Sequence, residues 1–166
     1  MNFKDLPSAK KGTAGEFIVD AILNQKGVIP YHPIFDGPHP FDRLCASLDK
    51  RSFFIVEVKT KPRRKFYPDT GINVSHYNDY KFVQENHNIR VFLAFVDEIE
   101  KLIYGNYLTA LDMPVSVKAH GVMLEYPRIE KTIIYFPLSL MKNIAQLDDA
   151  KTEKLKALSN RSYIYE

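Results

Sequence analysis

The residues of this chain best suited to chemistry are an acid and a lysine on one face of an apolar stretch. Glu57 and Lys59 stand two positions apart, and the run 53–58 is apolar and β-branched or aromatic except for Glu57. Such a run is typical of a buried β-strand, along which alternate side chains point to the same face. A carboxylate and an ammonium in that position lose hydration and need compensation.

Asp42 lies on the preceding segment, which can pair alongside this strand and bring a second carboxylate close to Glu57. Two neighbouring carboxylates repel each other, and a hard divalent cation relieves the repulsion because carboxylate oxygens suit it. Residue types and spacing therefore predict a Mg²⁺ site, in which Mn²⁺ could replace Mg²⁺. We expect Asp42 and Glu57 to be its ligands, and, if the three charged residues act together, the main-chain carbonyl of Val58 to be a third.

Each of these observations also has a simpler explanation. Asp42 taken alone could be an ordinary acid at a strand end or turn. Glu57 and Lys59 could form a plain ion pair on one face of a strand, in a structural or interaction protein. The metal-site hypothesis therefore depends on the three residues occurring together.

Together these residues resemble the PD-(D/E)XK signature of the restriction-endonuclease-like nucleases, with Asp42, Glu57 and Lys59 at its charged positions. The order of elements is also similar: a helix carrying Glu16, a strand, the strand with the aspartate, the Glu-x-Lys strand and a helix. One residue separates Pro40 from Asp42, whereas the signature has an adjacent pair. The resemblance covers about two-thirds of the chain. It implies an α/β fold with a central mixed β-sheet flanked by helices (an αβββαβ core), and a role for Glu16 near the metal.

The resemblance further implies a metal-dependent endonuclease that hydrolyses DNA phosphodiester bonds and leaves a 5′-phosphate and a 3′-hydroxyl. DNA is the expected substrate, and RNA is the alternative. Lys59 would orient the attacking water or stabilise charge developing on the phosphoryl group. In its small size the chain resembles archaeal-type Holliday junction resolvases and phage nucleases. This resemblance implies a structure- or junction-directed enzyme that acts as a homodimer. The alternative is a catalytically inactive nuclease-fold module that binds nucleic acid, although a lapsed site has no physical reason to keep buried charge.

The densest basic run of the chain follows the Glu-x-Lys strand directly. Charged runs usually form a solvated face, but this one lies where a phosphate backbone would have to pass the metal site. We therefore expect phosphate contacts from it, and we expect the two aromatic residues that follow it to pack against the core rather than on a base. The basic residues are Lys61, Arg63, Arg64 and Lys65, and the aromatic residues are Phe66 and Tyr67.

Composition excludes several classes of protein. With 166 residues, 45% of them hydrophobic and a net charge of +3, the chain suits one globular domain over residues 1–166. Its single cysteine, Cys45, rules out an internal disulfide and a multi-cysteine zinc site. No run approaches the ~20 apolar residues of a membrane helix, and residues 1–11 lack the apolar segment of a signal peptide. We therefore expect an intracellular, cytoplasmic protein that has no contact with a membrane.

The elements that position the site follow from capping signals and periodicity. Thr13, with Glu16 three positions later, has the spacing of a capping box, which gives Glu16 a second and purely structural explanation. Gly27 is expected to end this helix. Strands are expected over Val28–Phe35 and Phe41–Leu48, with a turn at Asp36–Pro38 and a hairpin turn at Asp49–Ser52.

A loop at Asp69–Gly71 is expected before a second helix, Tyr77–Asn86, capped by Ser75. Related nucleases often place further polar active-site residues on this helix. His76, Tyr77 and Tyr80 are the candidates, but a position beside the cap and packed aromatic rings explain them more simply. The remaining predictions are strands Ile89–Val96, Lys101–Tyr107 and Lys131–Phe136, a turn at His120-Gly121 and a final amphipathic helix or helix pair from Leu140 to Leu158. The nuclease-like core would span about 13–110, with a C-terminal strand and helical extension over about 111–166.

Overall fold

The computed structural model describes residues 6–34 and 41–159. Its helices are α1 (Pro7–Gln25), α2 (Val74–His87), α3 (Leu108–Leu111) and α4 (Asp149–Ala157). Its strands are β1 (Ile29–Tyr31), β2 (Arg43–Ala46), β3 (Phe53–Thr60), β4 (Asp69–Asn73), β5 (Arg90–Asp97), β6 (Leu102–Tyr107), β7 (Val115–Ala119), β8 (Val122–Tyr126), β9 (Arg128–Glu130), β10 (Ile133–Pro137) and β11 (Lys142–Gln146).

A six-stranded mixed sheet forms the centre of the fold, in the order β1-β2-β3-β5-β6-β11. Neighbouring strands are antiparallel except for β3 and β5, which run parallel. A parallel pair needs a crossover, and the chain between these two strands contains β4 and α2. The predicted α/β fold with a central mixed sheet and flanking helices is confirmed.

The strand β3 is buried on both faces, which explains its nearly continuous apolar sequence. Val56 and Val58 contribute to a core shared with α1 and α4, whereas Ile55 contributes to a core shared with α2 and α3. Glu57 and Lys59 follow Ile55 in the alternation, so they lie on the α2 face of the sheet.

The helix α1 begins earlier than the capping signal predicted. Pro7 occupies its first turn, where the missing N–H costs nothing, and Leu6 is the N-cap. The prediction that Thr13 caps the helix is wrong, because Thr13 lies inside it and is exposed. Glu16 is therefore not a capping-box acid. The predicted end is confirmed, since Gly27 follows the helix with a φ of +76°, a conformation that suits glycine.

Three further boundaries differ from the sequence predictions. The run at Asp69–Gly71 is not a loop but the start of β4, which pairs with β10 in a separate three-stranded sheet. The second helix begins at Val74 and is capped by Asn73 rather than Ser75, whose N–H the Asn73 side chain accepts. Residues 142–146 form the edge strand β11 instead of continuing a helix from Leu140, and the C-terminal helix is α4.

The edges of the central sheet are irregular. At one edge, β1 is three residues long and contains Pro30, which cannot donate a ladder hydrogen bond. At the other edge, the pairing of β11 with β6 shifts register between Asn143 and Ala145, as a bulge does. The predicted turn at Asp36–Pro38, the end of the predicted strand Val28–Phe35 and Pro40 lie outside the described residues.

The hairpin of β7 and β8 stands apart as a two-stranded sheet. Its turn at His120-Gly121, which the sequence predicted, has positive φ at both central residues, 49° and 80°. Two-residue hairpin turns of this kind match the right-handed twist of their strands.

Among the described residues, no helix is both long and apolar enough to cross a membrane.

Candidate active site

Asp42 and Glu57 are held together where β2 begins alongside β3. The Val58 N–H donates to Asp42 Oδ2 over 2.8 Å, and the Asp42 N–H donates to Glu57 Oε2 over 3.2 Å. The antiparallel register, with Arg43 opposite Val56, sets this proximity. The structure therefore brings together the two acids that the sequence assigned to a metal.

Burial and the neighbouring charge of Glu57 change the acidity of Asp42. Glu57 is only 5% exposed. Burial, and then the charge of Glu57, raises the pKa of the Asp42 carboxyl to about 6, although the Val58 N–H and the Lys59 ammonium oppose the rise. Near neutral pH the site is therefore a pair of partly desolvated carboxylates, an arrangement that a cation would stabilise.

Lys59 joins the same cluster. Its Nζ donates to Glu57 Oε1 over 2.6 Å and lies 3.3 Å from His76 Nδ1 on the first turn of α2. Partial desolvation, and then the Lys59 charge, lowers the pKa of the His76 imidazole. A neutral His76 can accept a hydrogen bond from Lys59, so His76 is a member of the site that the sequence interpretation set aside.

Tyr80 approaches the site from the same helix, one turn after His76. It is 3% exposed, and its ring lies edge-on to that of His76 with centroids 6.3 Å apart. Burial, the charge of Glu57 and a hydrogen bond to that carboxylate all raise the pKa of the Tyr80 phenol. The phenol is therefore a neutral donor to Glu57. The third candidate on this helix, Tyr77, instead donates to Asp112, which supports the packing interpretation made for it.

Glu16 reaches the neighbourhood through Arg43, a residue that the sequence analysis did not single out. Arg43 Nη2 donates to Glu16 Oε2 over 3.0 Å, and Arg43 Nη1 donates to the Asp42 carbonyl over 2.7 Å. Two further bonds join Arg43 to Asp20. Burial and the charge of Asp42 raise the pKa of Glu16, and Arg43 opposes the rise. Only the position of Arg43 next to Asp42 could have indicated this network from the sequence.

A glycine lets α1 lie directly on the strand that carries Lys59. A Cβ on Gly15 would stand 1.8 Å from Thr60 Oγ1, so no larger residue fits there without movement. The next residue of the helix is Glu16. The close approach of helix and strand thus fixes how near Glu16 comes to the end of β3.

The residues present fit a magnesium ion that keeps part of its water shell. Asp42 and Glu57 offer two carboxylates, and the peptide of Val58 is fixed by its bond to Asp42. Within residues 6–34 and 41–159, no group of three or more His, Cys, Asp or Glu side chains has the spacing of a metal site. Mg²⁺ is commonly bound by one or two carboxylates with water completing the shell, so two are sufficient.

Much of the basic run holds its own loop. Arg64 donates to Asp69 and, over 2.8 Å, to Glu130 Oε2. Arg63 pairs with Glu100 at 2.6 Å, and Lys61 Nζ donates to the Gly71 carbonyl over 2.8 Å. Lys65 is exposed, with its ammonium 5.4 Å from the Phe66 ring centroid. The expectation that Phe66 and Tyr67 pack against the core is wrong, since they are 53% and 38% exposed.

Comparison with known proteins identifies the fold but no relative by sequence. No protein-family model matches the sequence, and no curated protein is detectably similar to it. Among solved structures, Hjc, a Holliday junction resolvase from the archaeal hyperthermophile Archaeoglobus fulgidus, is similar, with a TM-score of 0.51 and 11% identity. The alignment covers 78% of this chain and 90% of the Hjc chain. The chain therefore has the restriction-endonuclease-like fold that the motif predicted.

Proposed function

We propose that this chain, with a fold shared with a Holliday junction resolvase, is a metal-dependent endonuclease that hydrolyses phosphodiester bonds in DNA. The observation that carries the proposal is the direct contact of Asp42, Glu57 and Lys59 at the β2–β3 pair. A shared fold does not by itself specify an activity. By contrast, a partly buried cluster of two acids and an amine is costly unless its charges are compensated, and one ammonium does not balance two carboxylates.

Asp42 and Glu57 are the groups that would hold the cation, together with the main-chain carbonyl of Val58. When bound, Mg²⁺ or Mn²⁺ supplies a Lewis acid for the phosphate and lowers the pKa of water. Main-chain N–H groups already fix both carboxylates, at 2.8 and 3.2 Å, so the site needs little rearrangement to act.

Lys59 is the residue proposed to act on the substrate. An ammonium has three N–H donors, and Glu57 and His76 occupy two of the directions around Lys59. The third can donate to a phosphoryl oxygen or to the attacking water, and thereby stabilise charge as it develops. Glu16 is proposed as a positioning residue, since it holds Arg43 against the Asp42 carbonyl.

The basic loop that follows β3 is proposed to guide the nucleic-acid backbone past the site. Lys65 is the exposed cation of the run, and Arg63 is also partly exposed, whereas Lys61 and Arg64 hold the loop in shape. We propose a structure- or junction-directed activity that leaves a 5′-phosphate and a 3′-hydroxyl. Because cutting two strands takes two sites, we propose that the protein acts as a homodimer.

A cleavage assay with Mg²⁺, Mn²⁺ or EDTA tests the proposal. The substrates are linear duplex, single strand, flap, four-way junction and RNA. Glu57→Gln and Asp42→Asn are expected to remove metal-dependent cutting, because each takes away one of the two carboxylates. The matched control is Glu153→Gln, the same change on an exposed residue of α4.

Cutting that survives both Glu57→Gln and Asp42→Asn would show that the assignment of the site is wrong. The second candidate function is a catalytically inactive module that binds nucleic acid. The exposed Lys65 of the basic loop favours it, because phosphate contacts from this lysine do not need the metal site. Binding of one substrate without cutting in any metal would support this candidate.

A further inference from the structure

A cavity that none of Asp42, Glu57 and Lys59 lines lies between the basic loop and the β7–β8 hairpin. Its volume is about 600 Å³. Four cationic side chains and three aromatic or imidazole rings are among its lining residues: Arg63, Arg64, Lys65, Lys118, Phe66, Tyr67 and His120. We call this space the aromatic groove.

The β7–β8 hairpin contacts the basic loop at the groove through a hydrogen bond and a pair of rings. His120 Nε2 bonds to the Phe66 carbonyl, and the rings of His120 and Tyr67 meet edge-on with centroids 6.3 Å apart. Tyr67 is held in turn by Arg64, whose guanidinium lies 4.3 Å from the ring centroid. Tyr67 and His120 are thus fixed in place, while Phe66 is 53% exposed.

The charges of the groove favour an anionic ligand. Asp97 also lines it but is fully buried, and its carboxylate accepts from the N–H groups of Arg63, Ile99 and Glu100. The Glu100 carboxylate is neutralised by Arg63 at 2.6 Å. Within the part of the chain that the structure describes, Lys65 and Lys118 are exposed and have no acidic partner.

Exposed rings beside unpaired cations suit a nucleotide with a free base. Aromatic side chains stack on bases of any sequence, and neighbouring lysines contact the phosphates. In an intact duplex the base faces are already stacked on one another. Only an unpaired base can therefore enter a concave groove and stack on a ring there. The loop begins directly after β3, so only two residues of chain separate Lys59 from Pro62, the first residue that lines the groove.

We propose that the aromatic groove binds an unpaired nucleotide of the nucleic-acid substrate, with its base stacked on Phe66 and its phosphates contacted by Lys65 and Lys118. The inference rests on the proposed function in one respect, that the ligand is nucleic acid. It adds a second site that selects substrates with an unpaired base.

The test measures binding in EDTA, so that cleavage plays no part. The probe is a duplex oligonucleotide with 2-aminopurine as a single unpaired base, and the fully paired duplex is the comparison. The full-length protein is expected to bind the unpaired probe more tightly and to quench its fluorescence. Phe66→Ala is expected to weaken that binding by about tenfold and to abolish the quenching.

The controls make the same changes at exposed positions outside the groove. Phe82→Ala replaces a ring that is 59% exposed on α2, and Lys142→Ala replaces an exposed lysine on β11 as the match for Lys118→Ala. Both controls are expected to bind as the unmutated protein does, whereas Lys118→Ala lowers the affinity and makes it less dependent on salt.

Photocrosslinking gives a second measurement that needs no variant to fold. An iodouracil at the unpaired position is expected to crosslink to Phe66, Tyr67 or His120, mapped by mass spectrometry. Undiminished binding by Phe66→Ala, equal affinity for the two duplexes, no binding of either, or crosslinks that all map elsewhere would each overturn the proposal.

The two proposals can fail separately. Binding and quenching that depend on Phe66 in a protein that cuts nothing would leave the groove standing and remove the nuclease assignment. Cutting that depends on Glu57, with equal affinity for paired and unpaired probes, would do the reverse.

Discussion

Lys59 stands between a carboxylate and an imidazole that constrain it in different ways. Glu57 compensates its charge at 2.6 Å, and His76 Nδ1, 3.3 Å away, directs a second N–H. A lysine side chain has several rotatable bonds, so a single contact leaves the ammonium mobile. The contact with His76 reduces that freedom, and this gives an exposed histidine a positioning role.

His76→Ala is expected to lower the cleavage rate by roughly tenfold and to leave KM nearly unchanged, because a misplaced Lys59 affects the chemical step. His76→Asn keeps an acceptor near the former position of Nδ1 and should retain most of the rate. His87→Ala, the same loss on an exposed residue at the end of α2, is the control for helix stability. Equal losses in the Asn and Ala variants would contradict the hydrogen-bond role.

For individual side chains, the alternation of a strand and the pairing of a hairpin are sufficient to predict that Asp42, Glu57 and Lys59 meet. Both features depend only on residues close in sequence. The contributions of His76 and Arg43 are not local. His76 reaches Lys59 only because the crossover lays α2 over the sheet, and Arg43 reaches Glu16 only because α1 packs close. Sequence spacing does not identify the distant partner in either contact, although Arg43 stands next to Asp42 in the chain. The metal and substrate roles of all these residues remain predictions.

The packing of α1 on β3 is the contact between elements on which the site most depends. A Cβ on Gly15 would stand 1.8 Å from the Thr60 hydroxyl oxygen, and the rest of the Thr60 side chain lies 3.0–3.1 Å from that Cβ. Turning the hydroxyl away would still leave the Thr60 Cβ at 3.0 Å, which is tighter than ordinary contact. The helix or the strand must therefore shift if the glycine is replaced.

Gly15→Ala is expected to destabilise the protein by about 1–3 kcal/mol through overpacking. Gly12→Ala is the control in the same helix, since a Cβ added there would have no neighbour within 4 Å. That change should stabilise by about 0.5–1 kcal/mol, because alanine is the better helix former. Urea unfolding of both variants measures the difference, and changes of the same sign in both would refute the close packing.

Helices and strands were predicted correctly where a local sequence rule determines them. They were missed where a contact with a residue distant in sequence determines the structure. The strand β4 was missed because Asp69 and Gly71 are typical of a loop. In the structure Asp69 is fully buried against Arg64 and the Tyr126 hydroxyl, which its own stretch of sequence could not show. The strand β11 was missed because its apolar spacing also fits a helix, and pairing with β6 decided between them.

The stability of the whole protein should depend on a competition between a metal ion and a proton for Asp42. The pKa of Asp42 is about 6 in the folded protein, against an ordinary value of 3.8. The folded state therefore binds the proton more tightly than the unfolded state between these values. Without metal, this group lowers stability as the pH rises from about 4 to 6, and the loss is complete above 6.

A cation that binds the deprotonated pair should reverse this loss. Saturating Mg²⁺ is expected to raise Tm by roughly 5 °C above pH 6 and by progressively less as the pH falls through that value. Asp42→Asn should abolish the Mg²⁺ effect and raise the metal-free Tm at neutral pH. Differential scanning fluorimetry measures both, with Asp149→Asn on an exposed residue as the control. A pH-independent effect of Mg²⁺ would place the cation elsewhere.

The overall architecture was predictable because it depends on the order of elements, which the motif and the hydrophobic pattern both indicate. The same fold occurs in Hjc at 11% identity, so few of its residues are required individually. The strands of the β7–β8 hairpin and the groove beneath it were not predicted, because residues 109–127 have no clear period. The single-domain organisation and the homodimer stay predictions.

The two irregular edges of the central sheet limit how copies of this protein can join. An open strand edge invites a neighbour to extend the sheet, and repetition of that contact produces fibres. Pro30 removes a donor at one edge, and the register shift in β11 interrupts the ladder at the other. Assembly by adding strand to strand is therefore disfavoured at both ends. We expect a homodimer to form through other surfaces of the protein.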